Sequence, residues 1–308
     1  MLEGLRRPAG VTLGALAAVG AASAVWGIGI ERNLFTVRHH TVRVLERGAE
    51  PIRILQISDM HLAPWQRRRR EWVNHLASLR PDLVINTGDN FGHADSLPAI
   101  RGALGSFAGT QGVFVHGSND LWSPKPRNPL RYFLGPSKKP QSTPPLDTAG
   151  LDAFFETDLG WSNLDNTADT VEVRGQRIRF IGTHDPHLKL DDFDALDAAI
   201  ATQPKNAALT IGVTHAPYRR VLDGFIERGA DVIFAGHTHG GQVCLPFYGA
   251  LVSNCDLPVK QAKGLSSWRH DGHEVPLNVS AGLGHSIYAP VRFCCRPEVS
   301  LITLAPKR

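Results

Sequence analysis

Short apolar runs alternate with amphipathic stretches along the chain after residue 50. Runs such as residues 52–57 are typical of strands that a sheet buries on both faces. Stretches such as residues 67–79 place Trp72, Val73 and Leu76 on one helical face. This alternation predicts an α/β domain with helices outside a sheet. The predicted strands are residues 52–57, 83–85, 113–115, 209–213 and 232–234, and the predicted helices are residues 67–79, 97–107, 191–201 and 218–228.

The remaining patterns indicate further strands and one insertion. Residues 171–173 and 178–181 flank Gly175 and Gln176, which predicts a β-hairpin. Strand-like segments near the end of the chain suggest a second sheet packed on the first; they are residues 277–280 and 299–304. Residues 121–147 hold seven prolines. We interpret them as a long surface insertion, either passive or acting as a lid or a membrane-facing loop.

The amino-terminal part of the chain is apolar, and residues 8–30 contain no charged side chain. As a helix this segment would be about 34 Å long, enough to cross a bilayer core. Three interpretations stay open: a membrane anchor, a signal peptide cleaved near the small residues 22–24, and a buried helix of a soluble protein. We expect the anchor, and divide the chain into an anchor and linker (1–50) and one domain (51–308).

Arginines on either side of the apolar segment indicate an orientation. Two precede it and four follow it closely: Arg6 and Arg7, then Arg32, Arg38, Arg43 and Arg47. Because cytoplasmic flanks of membrane helices are enriched in Lys and Arg, this count favours a cytoplasmic domain. We therefore predict a single-pass protein of the cell membrane, with export after signal cleavage as the alternative.

Composition excludes several classes of protein. Apolar residues make up 42% of the 308 positions and charged residues 20%, which is globular usage and not that of a disordered chain. Four cysteines are too few for a disulfide scaffold. Aromatic residues make up only 7%, without a basic and aromatic ladder, so we expect no nucleic-acid partner.

Polar side chains of the kind that bind metals follow five of the predicted strands. Because the carboxyl ends of parallel strands meet at one edge of a sheet, we expect these side chains to converge. Imidazole with carboxylate suits Mn, Zn, Fe or Ni. Two such ions sharing one carboxylate would use seven ligands, as in the two-metal sites of phosphoryl-transfer enzymes. The candidates are Asp59 with His61, Asp89, Asn119 with Asp120, His215, and His237 with His239.

The order and wording of these motifs resemble those of the calcineurin-like metallophosphoesterases. The motifs are DMH at 59–61, GDN at 88–90, GSND at 117–120, THAP at 214–217 and GHTHGGQ at 236–242. The long GHTHGGQ motif, with SAGLG at 280–284 and RPE at 296–298, is similar to a membrane-anchored branch of UDP-2,3-diacylglucosamine pyrophosphatase-like phosphodiesterases.

The resemblance implies a fold and a role for each matching residue. The fold is a four-layer α/β/β/α sandwich, and the cofactors are two divalent transition-metal ions. The implied ligands are Asp59, His61 and His239 for the first ion and His215 and His237 for the second, with Asp89 between the two. Asn90 is expected to bind a metal ligand or a phosphate oxygen and is counted with the catalytic residues.

One motif departs from the family pattern, because GSND stands where the family has Gly-Asn-His-Asp/Glu. Without a gap, Ser118 takes the ligand position and Asn119 that of the catalytic His. With a slip of one residue, Asn119 is the ligand and Asp120 replaces the His. We expect the slip, because an amide oxygen is a better ligand than a neutral hydroxyl. Other candidates for the missing acid are His93, His116, His184 and His187.

The resemblance implies a metal-dependent phosphoesterase in which a hydroxide held between the ions attacks phosphorus. We expect a phosphodiester or pyrophosphate substrate, lipid-linked or a nucleotide, and membrane association through residues 8–30. The alternatives are a phosphomonoesterase or nucleotide phosphatase, and a weakly catalytic scaffold. Residues 67–70 are four arginines that follow the DMH loop. They form either a solvated helix start or a patch for lipid or substrate phosphate.

Overall fold

Two six-stranded β-sheets lie face to face in the computed structural model, which describes residues 6–126 and 143–308. The strands are β1 Thr36–Leu45, β2 Ile52–Ile57, β3 Leu83–Asn86, β4 Gln111–Phe114, β5 Ser162–Asn163, β6 Ala168–Val173, β7 Gln176–Thr183, β8 Leu209–Thr214, β9 Val232–Ala235, β10 Cys244–Leu245, β11 Gly249–Ala250, β12 Gly264–His270, β13 His273–Val279 and β14 Glu298–Pro306.

The first sheet has the order β1-β14-β2-β3-β4-β5 and the second β12-β13-β9-β8-β7-β6. Strands β2 to β5 are mutually parallel, and so are β7, β8 and β9. Their carboxyl ends therefore point to common edges, where ligands bind in sheets of this kind. The short strands β10 and β11 form a separate hairpin.

Five of the described helices cover the outer faces of the sheets, while the first helix is largely exposed and the short fourth helix follows β4. The helices are α1 Arg6–Val25, α2 Arg67–His75, α3 Leu97–Leu104, α4 Ser118–Leu121, α5 Thr148–Ala153, α6 Phe193–Thr202 and α7 Arg219–Glu227. The side chains of Asp147 and Asp192 cap α5 and α6, because each accepts a hydrogen bond from a first-turn backbone N–H.

Three apolar layers hold the sandwich together. Between the sheets, Ile54 and Ile85 pack with Phe180 and Phe234. The other face of the first sheet packs on α2, α3 and α5, and that of the second sheet packs on α6 and α7. Strands buried on both faces need apolar residues at consecutive positions, which explains their continuous apolar runs. The predicted four-layer α/β/β/α architecture is confirmed.

The segment that we predicted to be a linker contributes a strand. Strand β1 pairs in parallel with β14 from Thr36↔Glu298 onward, so the sheet begins before residue 51. Its polar residues show why the pattern missed it: His39 is exposed on this edge strand. The carboxyl-terminal strands are also divided between the sheets, since β12 and β13 join the second sheet while β14 lies between β1 and β2 of the first.

Several element ends differ from the predictions by between one residue and one turn. The helices predicted at 67–79 and 97–107 each end in a 3-10 turn, Leu76–Leu79 and Gly105–Phe107. The hairpin of β6 and β7 turns at Arg174 and Gly175, both at positive φ, one residue before the predicted place. Most of the proline-rich insertion, residues 127–142, lies outside the described residues.

The apolar segment forms α1 and continues as a π-helical turn, Trp26–Ile30, and a 3-10 turn, Glu31–Asn33. Within the described residues, Gly14–Asn33 is long and apolar enough to cross a membrane, by length and composition alone. Its end is attached to the domain, because the buried Glu31 carboxylate accepts hydrogen bonds from the backbone N–H groups of Cys294 and Cys295 at 3.0 and 2.6 Å.

Candidate metal centre

The residues predicted to bind metal lie on the segments that follow β2, β3, β4, β8 and β9. These loops are bent sharply, and five of the ligands have positive φ: Asp59 (48°), His61 (36°), Asp89 (58°), His237 (69°) and His239 (50°). Residues other than glycine rarely adopt this conformation, and such strain is concentrated at functional sites.

Four side chains form a first set of ligands. Ligand atoms of Asp59, His61, Asp89 and His239 all lie within 4.8 Å of one another. The Nε2 atoms of His61 and His239 are 3.1 Å apart, and Nε2 of His239 lies 3.5 Å from Oδ1 of Asp59. Two imidazoles and two carboxylates at this spacing can surround one divalent ion.

A second set shares Asp89 with the first. Oδ2 of Asp89 lies 3.4 Å from Nε2 of His61 and 3.6 Å from Nε2 of His215. Nε2 of His215 is also 3.2 Å from Nδ1 of His237. One carboxylate oxygen therefore lies between two groups of imidazoles, which is the arrangement expected for a carboxylate that bridges two ions.

Hydrogen bonds behind the ligands orient them. Nδ1 of His215 donates to the backbone oxygen of Thr87 at 2.7 Å, which turns Nε2 toward Asp89. Oδ2 of Asp59 accepts from the Ser58 hydroxyl and, at 3.0 Å, from the backbone N–H of His237. Oδ1 of Asp59 is buried and has no hydrogen-bond partner among the described residues. A buried oxygen left open beside imidazoles fits a metal ligand.

Burial and charge set the protonation of the ligands. Burial lowers the pKa of His61 to about 4 and holds those of His237 and His239 well below their ordinary value, so these imidazoles are neutral, as metal ligands must be. Burial would also lower the pKa of His215, but Asp89 and other carboxylates around it raise that pKa to about 9. Burial opposes ionisation of Asp89, yet His215 and His61 keep its pKa below the ordinary value.

Close backbone approach brings the GSND loop to the bridging carboxylate. A Cβ on Gly117 would lie 2.3 Å from Oδ1 of Asp89, so only glycine fits there. The backbone N–H of Asn119 donates to Oδ1 of Asp89, and its side-chain Nδ2 donates to Oδ2, both at 2.7 Å. Asn119 therefore lies beside the carboxylate that the two ligand sets share, and its role as a metal ligand stays a prediction.

Asp120 is turned away from a catalytic position. Its carboxylate is buried and accepts hydrogen bonds from the backbone N–H groups of Asp89 and Asn90, at 2.7 Å each, and of Gly117 at 3.1 Å. This carboxylate ties the GDN loop to the GSND loop. The geometry does not support our prediction that Asp120 protonates the leaving group, because both its oxygens already bind backbone groups of the loops.

Asn90 is buried beside the ligands. Its Oδ1 accepts from Nδ2 of Asn86 at 2.8 Å, while its own Nδ2 has no partner among the described residues. An amide N–H of this kind could donate to an incoming oxygen, and the predicted role of Asn90 stays a prediction.

The four histidines suggested as substitute acids lie in different places. His187 packs its ring 4.5 Å from that of His237, next to the second ligand set. His184 is 6.1 Å, ring to ring, from His116. His116 lies between the carboxylates of Asp165 and Asp152, and His93 packs against the exposed Trp65. Only His187 adjoins a ligand ring among these contacts.

Two buried arginines support the site and were not identified from the sequence as supports. Arg69 donates to the backbone oxygens of Met60 and His61, so one of the four arginines at 67–70 holds the DMH loop from behind. Arg292 is fully buried and donates to the backbone oxygens of Ala281, Gly282 and Gly284. The signal for Arg69 was its place in the first turn of α2, where a cation opposes the helix dipole.

Comparisons with known proteins agree with this geometry. Over 94% of both chains, the protein is 24% identical to the uncharacterized metallophosphoesterase YkuE of Bacillus subtilis. It is 24% identical to the UDP-2,3-diacylglucosamine pyrophosphatase LpxG of Chlamydia trachomatis, over 90% of this chain and 92% of that one. It is 23% identical to the phosphodiesterase YaeI of Escherichia coli, over 89% and 90%.

The sequence profile of the calcineurin-like phosphoesterases matches residues 52–241, from the start of β2 to the glycines after His239. That range contains every candidate ligand described above and four strands of each sheet. The family binds two divalent metal ions, in agreement with the two ligand sets that share Asp89. The chain belongs to the calcineurin-like phosphoesterase family and is a metal-dependent phosphoric ester hydrolase.

Proposed function

We propose that the protein hydrolyses a phosphodiester or pyrophosphate bond in a lipid-linked substrate. The position of Oδ2 of Asp89, 3.4 Å from one imidazole and 3.6 Å from another, is the observation that carries this proposal. It supports a pair of ions close enough to act on one phosphoryl group.

The residues have distinct proposed tasks. Asp59, His61 and His239 would hold one ion, His215, His237 and Asn119 would hold the other, and Asp89 would contribute to both. When bound, the ions supply Lewis acidity that activates water and neutralises charge on phosphoryl oxygens. Nδ2 of Asn90, which has no partner among the described residues, is proposed to donate to a phosphoryl oxygen. Asp120 keeps the GDN and GSND loops in register and does not move a proton.

Because no general acid has been assigned in the site, we favour substrates with good leaving groups. An alkoxide needs a proton as it leaves, whereas a phosphate or nucleotide phosphate leaves as a stable anion. Asn119, with its amide on Asp89, and Asp120, with its carboxylate on backbone N–H groups, cannot supply that proton. Pyrophosphate bonds and activated diesters are therefore better candidates than alkyl monoesters.

The apolar helix supports a lipid-linked substrate. Gly14–Asn33 is a candidate membrane span, and its end is attached by Glu31 to the segment that carries Arg292. Arg292 in turn approaches Nδ1 of His239 at 3.4 Å. Anchoring the chain through this helix would hold the metal centre close to lipid headgroups.

A substrate screen tests the proposal. The purified full-length protein would be loaded separately with Mn²⁺, Zn²⁺, Fe²⁺ or Ni²⁺ and assayed on a pyrophosphate-linked lipid, a soluble diester and a soluble monoester. We expect the pyrophosphate-linked lipid to be hydrolysed fastest. Preference for the monoester would overturn the substrate class, and no hydrolysis with metal bound would favour the scaffold alternative.

A series of substrates with different leaving groups tests whether the protein lacks a general acid. Aryl phosphodiesters whose phenols differ in pKa would be compared under the same metal. Without proton donation the rate falls steeply as the phenol pKa rises, whereas general-acid help flattens this dependence. A flat dependence that becomes steep in His187→Gln would show that His187 is the donor.

A further inference from the structure

The hairpin formed by β10 and β11 is exposed and apolar. Residues 240–255 contain no charged side chain. We call residues 243–251 the apolar hairpin; its exposed apolar side chains are Val243, Leu245, Phe247, Tyr248 and Leu251. An apolar surface of this kind, continuous along one loop, is typical of a site that contacts a protein or a membrane.

Phe247, at the tip of the apolar hairpin, is exposed and has a strained backbone conformation. Phe247 has φ of 64°, a conformation that is uncommon for a bulky residue. Its side chain is fully exposed and forms no part of the apolar clusters of the fold. Nothing within the described chain accounts for a phenyl ring at this place, whereas an apolar environment outside the chain would.

One backbone segment connects the apolar hairpin to the end of the apolar helix. On one side, the N–H of Phe293 donates to the oxygen of Gln242, and the N–H of Cys244 donates to the oxygen of Phe293. On the other side, the N–H of Arg292 donates to the oxygen of Gly27 at 3.1 Å. Residues 292–295 therefore lie between the hairpin and the helix end.

Contacts on the helix side are close. A Cβ on Gly27 would lie 2.9 Å from the backbone oxygen of Arg292, and Glu31 binds the N–H groups of Cys294 and Cys295. Backbone segments joined by such hydrogen bonds are about 5 Å apart, so the hairpin and the helix end are separated by roughly 10 Å. If the helix crosses a bilayer, the hairpin lies at the bilayer surface beside it.

We propose that the apolar hairpin, residues 243–251, inserts into the lipid interface next to the membrane-spanning helix and forms a second membrane contact. The amphipathic ring of Tyr248 favours this depth, and the exposed ring of Phe247 adds apolar surface that lipid can bury. The inference rests on the membrane association included in the proposed function. It adds that the domain has a fixed orientation, with the GHTHGGQ loop that precedes the hairpin facing the headgroups.

Spin labelling of the full-length chain in vesicles tests this contact. Single cysteines replace Phe247 or Tyr248 in the hairpin, with Cys255→Ser and Cys294→Ser removing the two native thiols that are not buried. Matched controls are Val19→Cys, which is exposed on α1, and Lys205→Cys, which is exposed in the loop before β8 at the opposite edge of the sheet. The vesicles contain phosphatidylcholine and phosphatidylglycerol.

Collision rates with oxygen, which concentrates in lipid, and with a water-soluble nickel chelate report the depth of each label. We expect the oxygen-to-nickel ratio at residues 247 and 248 to exceed that at 205 several-fold and to approach that at 19. A label at 19 in lipid with labels at 247 and 248 in water would overturn the hairpin contact alone. All labels in water would overturn the membrane association as well, and neither reading depends on hydrolysis.

Discussion

At the scale of single residues, the site depends on one carboxylate shared by two groups of imidazoles. That these side chains come together could be predicted from the sequence, because each follows an apolar strand and is of a type that binds metals. The roles of Asp120 and Arg292 could not, because they depend on which backbone groups the loops bring near them. Asp120 binds three N–H groups from two loops, and no spacing rule indicates that arrangement.

Replacing the shared carboxylate should abolish activity without unfolding the chain. In Asp89→Asn, the neutral amide cannot attract both ions, so we expect metal-dependent hydrolysis of a soluble diester to fall by about a thousandfold or more. Metal content by mass spectrometry and far-ultraviolet circular dichroism would be measured together. Asp95→Asn, which changes an exposed carboxylate on the loop after Asp89, is the matched control. Full activity in Asp89→Asn would exclude the bridging role.

The two alignments of GSND predict different ligands. If Asn119 binds the second ion, Asn119→Ala should weaken binding of that ion by roughly ten- to a hundredfold, as other changes around metal ligands do. Ser118→Ala is the neighbouring control and should bind both ions normally. Calorimetric titration of the metal-free protein distinguishes them; weaker binding in Ser118→Ala alone would favour the alignment without a slip.

At the scale of elements, buried strands and amphipathic helices followed from the pattern of the sequence, but the edge strand β1 did not. Its polar side chains face solvent, and only its pairing with β14 makes it a strand. A similar long-range contact joins the end of β4 to α5. His116 lies 2.6 Å from Asp165 and 2.9 Å from Asp152, so three segments meet at one imidazole.

This contact predicts a pH dependence of stability. Burial would lower the pKa of His116, but the carboxylates of Asp152 and Asp165 raise it well above its ordinary value of 6.5. A pKa raised on folding gives stability that is complete below 6.5 and is lost as the pH rises through the folded pKa. We expect His116→Gln to lower the free energy of unfolding by about 3–5 kcal/mol at pH 6.

The difference in free energy of unfolding between the wild type and His116→Gln should become smaller at alkaline pH. Denaturant unfolding of the metal-free protein at several pH values measures this difference. The exposed His39→Gln is the control and should follow the wild type throughout. A difference in free energy of unfolding between the wild type and His116→Gln that does not change with pH would contradict the ion pairs of His116 with Asp152 and Asp165.

At the scale of the whole molecule, the end of the apolar segment is packed into the domain, whereas most of α1 is exposed. Glu31 is buried and accepts the N–H groups of Cys294 and Cys295 and, at 2.7 Å, the indole N–H of Trp26. From the sequence we expected a linker here. The burial of Glu31 could not be predicted, because it depends on a loop more than 250 residues away in the chain. The position of β14 between β1 and β2 in the first sheet could not be predicted from the sequence either.

Removing the Glu31 carboxylate should therefore destabilise the domain. In Glu31→Ala, the buried N–H of Cys295 loses its acceptor, which should cost about 2–3 kcal/mol. Glu46→Ala changes an exposed glutamate after β1 and should stay within about 0.5 kcal/mol of the wild type. Thermal unfolding in detergent compares the two; equal midpoints would mean that the helix end is not held by Glu31.

The parallel pairing of β1 with β14 fixes where Arg308 lies. Both strands run away from the apolar helix, and the guanidinium of Arg47 binds the backbone oxygen of Arg308, so Arg308 lies about 30 Å along β1 from the place where the helix meets the domain. A reporter fused after Arg308 would stand clear of the lipid. Green fluorescent protein fused at this place should fluoresce if the domain is cytoplasmic. Alkaline phosphatase fused at the same place should be active if the domain is exported.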